Sequence, residues 1–439
     1  MRQLFLINDT VSNKISYYHL AAFLIALPFD LFYSEIILIS FGLHTIIHAG
    51  KNSVKNIFSK AVLIPASIYL LGLAAIAYSP DKAEGINVAT KQLAILIIPV
   101  LFALTGIDLQ KYKLNLLCIF GLAIAATILY LYANAVYTIF YFNLPLNSLF
   151  TLAFMNHSFS VPINIHATYL SAYTAFSLLI FLFLILSKRD LEQRWLYMIA
   201  VIILSAGMLQ LSSRAVFIVF LIVINLLFPF FFQGKKRMII FFSASFISVI
   251  TLFMIASMDS FKTRYISELK TDLTNDVKII ENTEPRLARW NVIMELVKRS
   301  PVIGYGTGSE KELLKQKYFE SGLYGSYLNE FNTHNQYLGM LVKTGIVGLA
   351  LFIYVLYFGI SNALRNKDLV FLSFMLIIAT VSVSENVLDL NKGIFFYSFF
   401  FSLFLWKENA GKRKSSEVLA ARARILERQA GNPEKAFYV

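Results

Sequence analysis

Apolar runs long enough to cross a membrane alternate along the chain with short polar, glycine- or proline-containing breaks. The runs fall near 17–28, 31–48, 61–78, 92–105, 114–140, 166–187, 195–211, 215–232, 238–257, 336–360, 369–384 and 393–406. An α-helix needs about 20 predominantly apolar residues to cross a bilayer, so the pattern predicts an all-α polytopic membrane protein of about twelve transmembrane helices. Between the ninth and tenth spans lies one long polar interval, 258–334, of 77 residues with 11 Lys/Arg balanced by 11 Asp/Glu. The organisation read from this is helices 1–9 over 1–257, a helical loop domain over 258–335, helices 10–12 over 336–406 and a basic tail over 407–439.

Composition excludes the soluble alternative. The chain is 57% hydrophobic and 15% charged, against roughly 45–50% and 25% for a soluble domain. Its 40 Phe and 23 Tyr suit lipid-facing helices with aromatic belts. A net charge of +13 raises nucleic acid as a partner, but the placement of the basic residues points to membrane orientation instead. Alternate connections carry Lys51, Lys55 and Lys60; Lys111 and Lys113; Lys188, Arg189 and Arg194; Lys235, Lys236 and Arg237; and Arg365 and Lys367, and the tail holds eight more basic residues. The positive-inside rule then places both termini in the cytoplasm and the long interval outside, with no nucleic-acid partner. The first run is broken by Pro28 and Asp30 and leads directly into a second, which reads as a signal anchor. The single cysteine, Cys118, closes no disulfide and completes no metal site.

A 77-residue connection is uncommon without a function, and it holds the first candidate residues. Thr283 or Glu284 can cap a helix over about 284–300 that has Pro285 in its first turn and ends at Ser300-Pro301. Helical spacing sets Arg286, Trp290, Ile293 and Val297 on one face, with Arg289 at its edge. Arg286 is then either a functional cation or an arginine that snorkels or stacks on Trp290. At the end of the interval, Thr333 and Gln336 have capping-box spacing, which would start the tenth membrane helix at His334. A histidine in that first turn is kept neutral by the helix dipole, and the free amides there favour an anion; the alternative is a polar anchor at the interface. The third candidate is Arg214, between two apolar spans on the same side, where it either serves a wet site or snorkels. Two guanidiniums and a neutral histidine suit a polyanionic substrate, a pyrophosphate in particular.

Other constellations carry less. His44 and His48 have metal-ligand spacing without a third ligand, which reads as an interfacial pair rather than a zinc site. Gly304, Gly306 and Gly308 lack both the dinucleotide spacing and a P-loop lysine, so they read as a turn packed beside the site. No Asp-x-Asp pair is present to hold a divalent ion beside a diphosphate, which leaves neutralisation to basic side chains and predicts no metal and no cofactor. His157, His166 and Glu385 fall on the outer side, where they could line an acceptor groove or anchor helices. The tail from Ser415 to about Gln429 reads equally as a basic amphipathic helix on anionic lipid or as a solvated segment.

In order and spacing, Arg286-x-x-x-Trp290, Ser300-Pro301-Val302-Ile303-Gly304-x-Gly306-x-Gly308, Thr333-His334-Asn335-x-Tyr337-Leu338 and Thr344-Gly345-x-x-Gly348 resemble the signature of the bacterial O-antigen ligase and O-antigen polymerase superfamily. Leu209 to Phe220, with Ser213-Arg214, is similar to the opening of that region and Glu385 to Phe396 to its close, so the resemblance covers roughly 200–406. It implies a twelve-helix inner-membrane protein that moves a glycan from undecaprenyl pyrophosphate to an acceptor hydroxyl on the periplasmic side, without metal. By it, Arg214 and Arg286 hold the donor pyrophosphate and His334 is the base; the supporting candidates are Arg289, which the motif itself does not require, and Asn335, Tyr337, His166 and Glu385. The motif string is closest to the ligase, whose acceptor is the lipid A core sugar. An O-antigen polymerase and a protein O-oligosaccharyltransferase are the enzyme alternatives. A secondary transporter is the non-enzyme one, although no matched pair of broken helices points to it.

Overall fold

The computed structural model describes residues 2–50, 53–187, 193–274 and 284–406, and among these there is no strand. Thr283, the basic residues Lys51, Lys188 and Arg189, and the tail from Lys407 lie outside the described residues. The membrane body begins with α1 (Val11–Ala26), α2 (Leu31–Ile47), α3 (Lys60–Ala75), α4 (Lys82–Gln92), α5 (Ala94–Leu104) and α6 (Leu109–Tyr141). It continues with α7 (Ala167–Ser187), α8 (Arg194–Leu211), α9 (Arg214–Ile222) and α10 (Gly234–Ser257). Two loop helices follow, α11 (Arg286–Arg299) and α12 (Glu310–Glu320), then α13 (Gln336–Arg365), α14 (Leu369–Val381) and α15 (Asn391–Leu405). α9 runs on through a π-helical turn, Val223–Leu227, into Phe228–Phe231. Each apolar run of the sequence is thus a helix. Among the described residues eight helical stretches are long and apolar enough to cross a membrane, and α2, α14 and α15 are shorter apolar helices. The chain is an all-α, multi-pass membrane protein.

Side-chain caps begin several of these helices. Asp30 accepts from the amide of Phe32, Asp108 from those of Gln110 and Lys111, and Asp368 from that of Phe371, satisfying amides that the first turn leaves free. The fourth span departs from expectation: it starts at Lys82, ten residues before the apolar run, because Asp81 caps it at the amide of Glu84. Its first turns are helical yet polar, and hydropathy alone does not register them.

The aromatic residues also depart from the lipid-facing expectation. Every residue from Ala167 to Phe181 of α7 is buried, and phenylalanines of α14 and α15 close over it. Phe176 lies 5.4 Å from Phe374, 5.7 Å from Phe396 and 5.0 Å from Phe400, ring centre to ring centre. Edge-on packing of this kind is worth about 0.5–1.5 kcal/mol per pair beyond burial, so a large share of the Phe content builds the interior.

One feature joins the loop to the membrane body. Gly345 interrupts α13 with φ +62°, which frees two carbonyls and two amides of the helix. The glycine-rich turn takes all four: Tyr305 and Gly306 donate to the carbonyls of Val342 and Lys343 at 2.9 and 2.8 Å, while Ile346 and Val347 donate to those of Pro301 and Val302 at 2.8 and 3.3 Å. Freed backbone groups inside a membrane body need such partners. A side chain at Gly345 would come within 2.2 Å of the Val302 carbonyl. Gly345→Ala is therefore expected to destabilise the protein by about 1–3 kcal/mol through overpacking, read as an earlier thermal midpoint in detergent. Gly234, whose φ is +60° with nothing within 4 Å, provides the control in which only backbone strain is introduced.

Candidate active site at the loop and helix ends

The candidate residues come from five places in the chain, one of them His334 just before α13. Arg214 opens α9 directly after the left-handed Ser212 ends α8. Asp272 ends the short helix Glu268–Asp272, Arg286 opens α11, and Glu385 lies in the turn between α14 and α15. These positions form a chain of alternating charge. Arg214 Nη2 is paired with Asp272 Oδ2; the same oxygen is 3.8 Å from Arg286 Nε, and Arg286 Nη2 is 4.0 Å from Glu385 Oε1. Arg286 also donates to the carbonyl of Ser384 at 3.1 Å. The far oxygen of Glu385 is 3.5 Å from His334 Nδ1. Arg214, Arg286 and His334, far apart in sequence, thus meet, linked by two carboxylates.

The structure revises the local reading at three points. His334 is not in the first helical turn: it has φ +43° and precedes the true cap, Asn335, whose side chain accepts from the amides of Tyr337 and Leu338. Thr333 is diverted from capping, donating its hydroxyl to Asn386 Oδ1 at 2.9 Å, and Gln336 accepts from the amide of Leu388 instead of reaching back. The imidazole is therefore governed by Glu385 rather than by the helix dipole. On α11 the stripe is rotated: Arg289, Ile293, Leu296 and Val297 are buried, and Arg286 stands at the edge. Arg286 engages carboxylates rather than the Trp290 ring, and the Trp290 indole N–H donates to the Thr333 carbonyl at 3.1 Å. Glu284 is not the cap of α11; its carboxylate accepts from the amides of Gly325 and Ser326.

Glu385 is 5% exposed. Burial alone raises its pKa, but the His334 ring and the charges of His166 and Arg286 outweigh it and hold the carboxyl below the ordinary glutamate range. Thr168 donates to Glu385 Oε1 at 3.3 Å. The two other histidines predicted on this side stand together, their rings 4.2 Å apart. Burial pushes His157 down to about 4 and also lowers His166. Arg289 holds its guanidinium carbon 5.0 Å over the ring of Phe331, which in turn meets the His334 ring edge-on at 5.5 Å. Tyr337 is turned away, donating to the Ala379 carbonyl.

Behind His334 lies a second buried network that the sequence reading missed. Lys343 Nζ is 2.7 Å from Asp389 and 3.3 Å from Glu310. Glu310 accepts from the Thr333 amide at 3.1 Å, and Asn386 accepts from the Asn335 amide at 2.8 Å while donating to Asp389. These bonds fix the backbone on both sides of His334. Lys343 was the visible signal, since a cation inside an apolar run has to be paired.

Residues 199–353 match the family model described as O-Antigen ligase. No curated protein matches the chain. The matched stretch contains Arg214, Arg286 and His334, and it supports a membrane glycosyltransferase of the O-antigen ligase and polymerase type acting on lipid-linked glycans and lipid acceptors in general.

Proposed function

For a chain that carries an O-antigen ligase domain over residues 199–353, we propose transfer of a glycan from undecaprenyl pyrophosphate to a hydroxyl of the lipid A core, on the periplasmic side of the bacterial inner membrane, with both termini in the cytoplasm. The observation that carries this is the convergence of Arg214 and Arg286 on one carboxylate, Asp272, with Glu385 linking Arg286 to His334. A carboxylate holding two guanidiniums marks where a diphosphate would bind, because planar guanidiniums match phosphate oxygens bidentately.

In this reading, the Glu385 carboxylate, 3.5 Å from His334 Nδ1, favours the tautomer with its proton on Nδ1 and so leaves the Nε2 lone pair free, as a carboxylate does for a catalytic imidazole elsewhere. His334 Nε2 takes the proton of the acceptor hydroxyl. The acceptor oxygen bonds to the anomeric carbon as the bond from that carbon to the pyrophosphate oxygen breaks, and the electron pair leaves with the lipid pyrophosphate. Attack opposite the leaving group inverts the anomeric centre. Charge developing on the pyrophosphate is met by Arg214 and Arg286 in a site of low dielectric, which assigns neutralisation to side chains and makes the reaction metal-independent.

The test is transfer by the purified protein in lipid, with an undecaprenyl-pyrophosphate glycan as donor, lipid A core as acceptor and EDTA present, products being read by mass. A glycan added to the core is the expected result. A lengthened lipid-linked glycan would make the protein a polymerase, modification of a Ser/Thr peptide a protein glycosyltransferase, and no transfer to any of the three acceptors would overturn the transfer reading.

A further inference from the structure

On the other face of the segment that carries His334, between the loop and α4, lies a cavity of about 180 Å³ that none of Arg214, Arg286, Glu385 or His334 lines. Its inner wall is the buried network of Glu310, Lys343 and Asp389. Asn332 also faces it, and the Asn332 side-chain oxygen accepts from the amide of His334 at 2.9 Å. Its outer rim includes Glu84 and Lys91 of α4, and Lys91 is exposed. Four carboxylates and three ammoniums line the cavity, and Val88 is its one aliphatic side chain.

That lining selects by chemistry. An acyl chain would find Val88 and the methylene stems of the lysines and acids, but would offer nothing to their charged ends. A phosphate would meet more carboxylates than ammoniums and pay an electrostatic penalty. Carboxylates only accept hydrogen bonds and ammoniums only donate them, so the ligand matched to both is a neutral one whose every polar group does both. A sugar hydroxyl is such a group, and a buried hydroxyl must be satisfied in this way.

We propose that this cavity is a saccharide subsite that takes an uncharged pyranose ring next to the reacting centre, supplied by the donor glycan or by the acceptor core. The assignment rests on the glycosyl-transfer reading. Through Asn332 and through Glu310, which holds the Thr333 amide, the occupant touches the same backbone that carries His334.

Lys91→Ala and Glu84→Gln test this, because both residues are on the rim and neither belongs to the Arg214–Asp272–Arg286–Glu385 chain. In lipid nanodiscs, binding is measured for three probes: a short polyprenyl pyrophosphate without sugar, the same lipid bearing a disaccharide, and free core oligosaccharide. Variants whose thermal midpoint is unchanged are expected to lose about tenfold in affinity for a sugar-bearing probe, about one hydrogen bond's worth, and none for the sugar-free pyrophosphate. Loss confined to the disaccharide lipid identifies the donor glycan as the occupant, and loss confined to the oligosaccharide identifies the acceptor. Equal loss for all three probes, or no loss for either sugar, overturns the subsite. If the wild-type protein binds the oligosaccharide through Lys91 and Glu84 but fails to bind either pyrophosphate, the transfer reading falls and the subsite stands.

Discussion

Replacing His334 with alanine is expected to cut turnover by about 10²–10⁴-fold, the contribution of a positioned general base, with little change in the binding of donor. His334 has φ +43°, a conformation that asparagine tolerates better than alanine. His334→Asn is therefore the companion variant: it keeps the backbone and removes the base, and its thermal midpoint should match the wild type while its turnover falls by the same factor. Near-normal turnover in both variants would remove the base assignment. The pH dependence has a definite sign. Because Glu385 is held below the ordinary glutamate range, its ionised link to His334 is intact above that range and is lost as the pH falls through the lowered value. The contribution of this link to activity is lost on the acid side, and Glu385→Gln should remove that contribution at every pH.

Replacing Arg286 with alanine is expected to lower kcat by about 10²–10³-fold, the usual effect of deleting one preorganised group that meets developing charge. Three contacts disappear together, to the Ser384 carbonyl, to Asp272 and to Glu385. Arg286→Lys should recover little, because an ammonium lacks the planar fork that can serve a phosphate while still bonding the Ser384 carbonyl. The discriminating measurement is single-turnover kinetics at saturating donor, which separates chemistry from binding. A pure rise in KM with kcat intact would make Arg286 a grip on the ground state only, and unchanged kcat/KM would detach it from the reaction.

The all-α membrane architecture was legible in the sequence because it is local: each apolar run carries its own helix. That Arg214, Arg286 and His334 come together was legible through their motifs. What holds them was not. Asp272 is an ordinary acid in a charged interval until folding sets it beside Arg214, 58 positions away in the chain. Thr333 and Asn335 are both good caps in isolation, and the choice falls to Asn386, which takes the Thr333 hydroxyl and the Asn335 amide. The apolar stripe of α11 kept Ile293 and Val297 but was rotated by a fraction of a turn, because periodicity does not say which edge faces the body, and Arg289, not Arg286, is the residue it buries. The glycine motif at 304–308 was recognisable as a turn, but its partner, the break at Gly345, lies in a span that reads as continuous.

That pairing sets the unit in which such a protein can be recombined with a relative. The loop does not end where the membrane helix begins: its turn supplies backbone partners to residues 342–347, Gly308 packs against Asp81 and Gly85, and Thr307 donates to the Gly72 carbonyl. A chimaera that exchanges residues 258–335 alone would splice a foreign turn into a native break. A cassette carried through residue 348 would keep the turn and its break together, leaving only the seam with residues 72–85 to be matched.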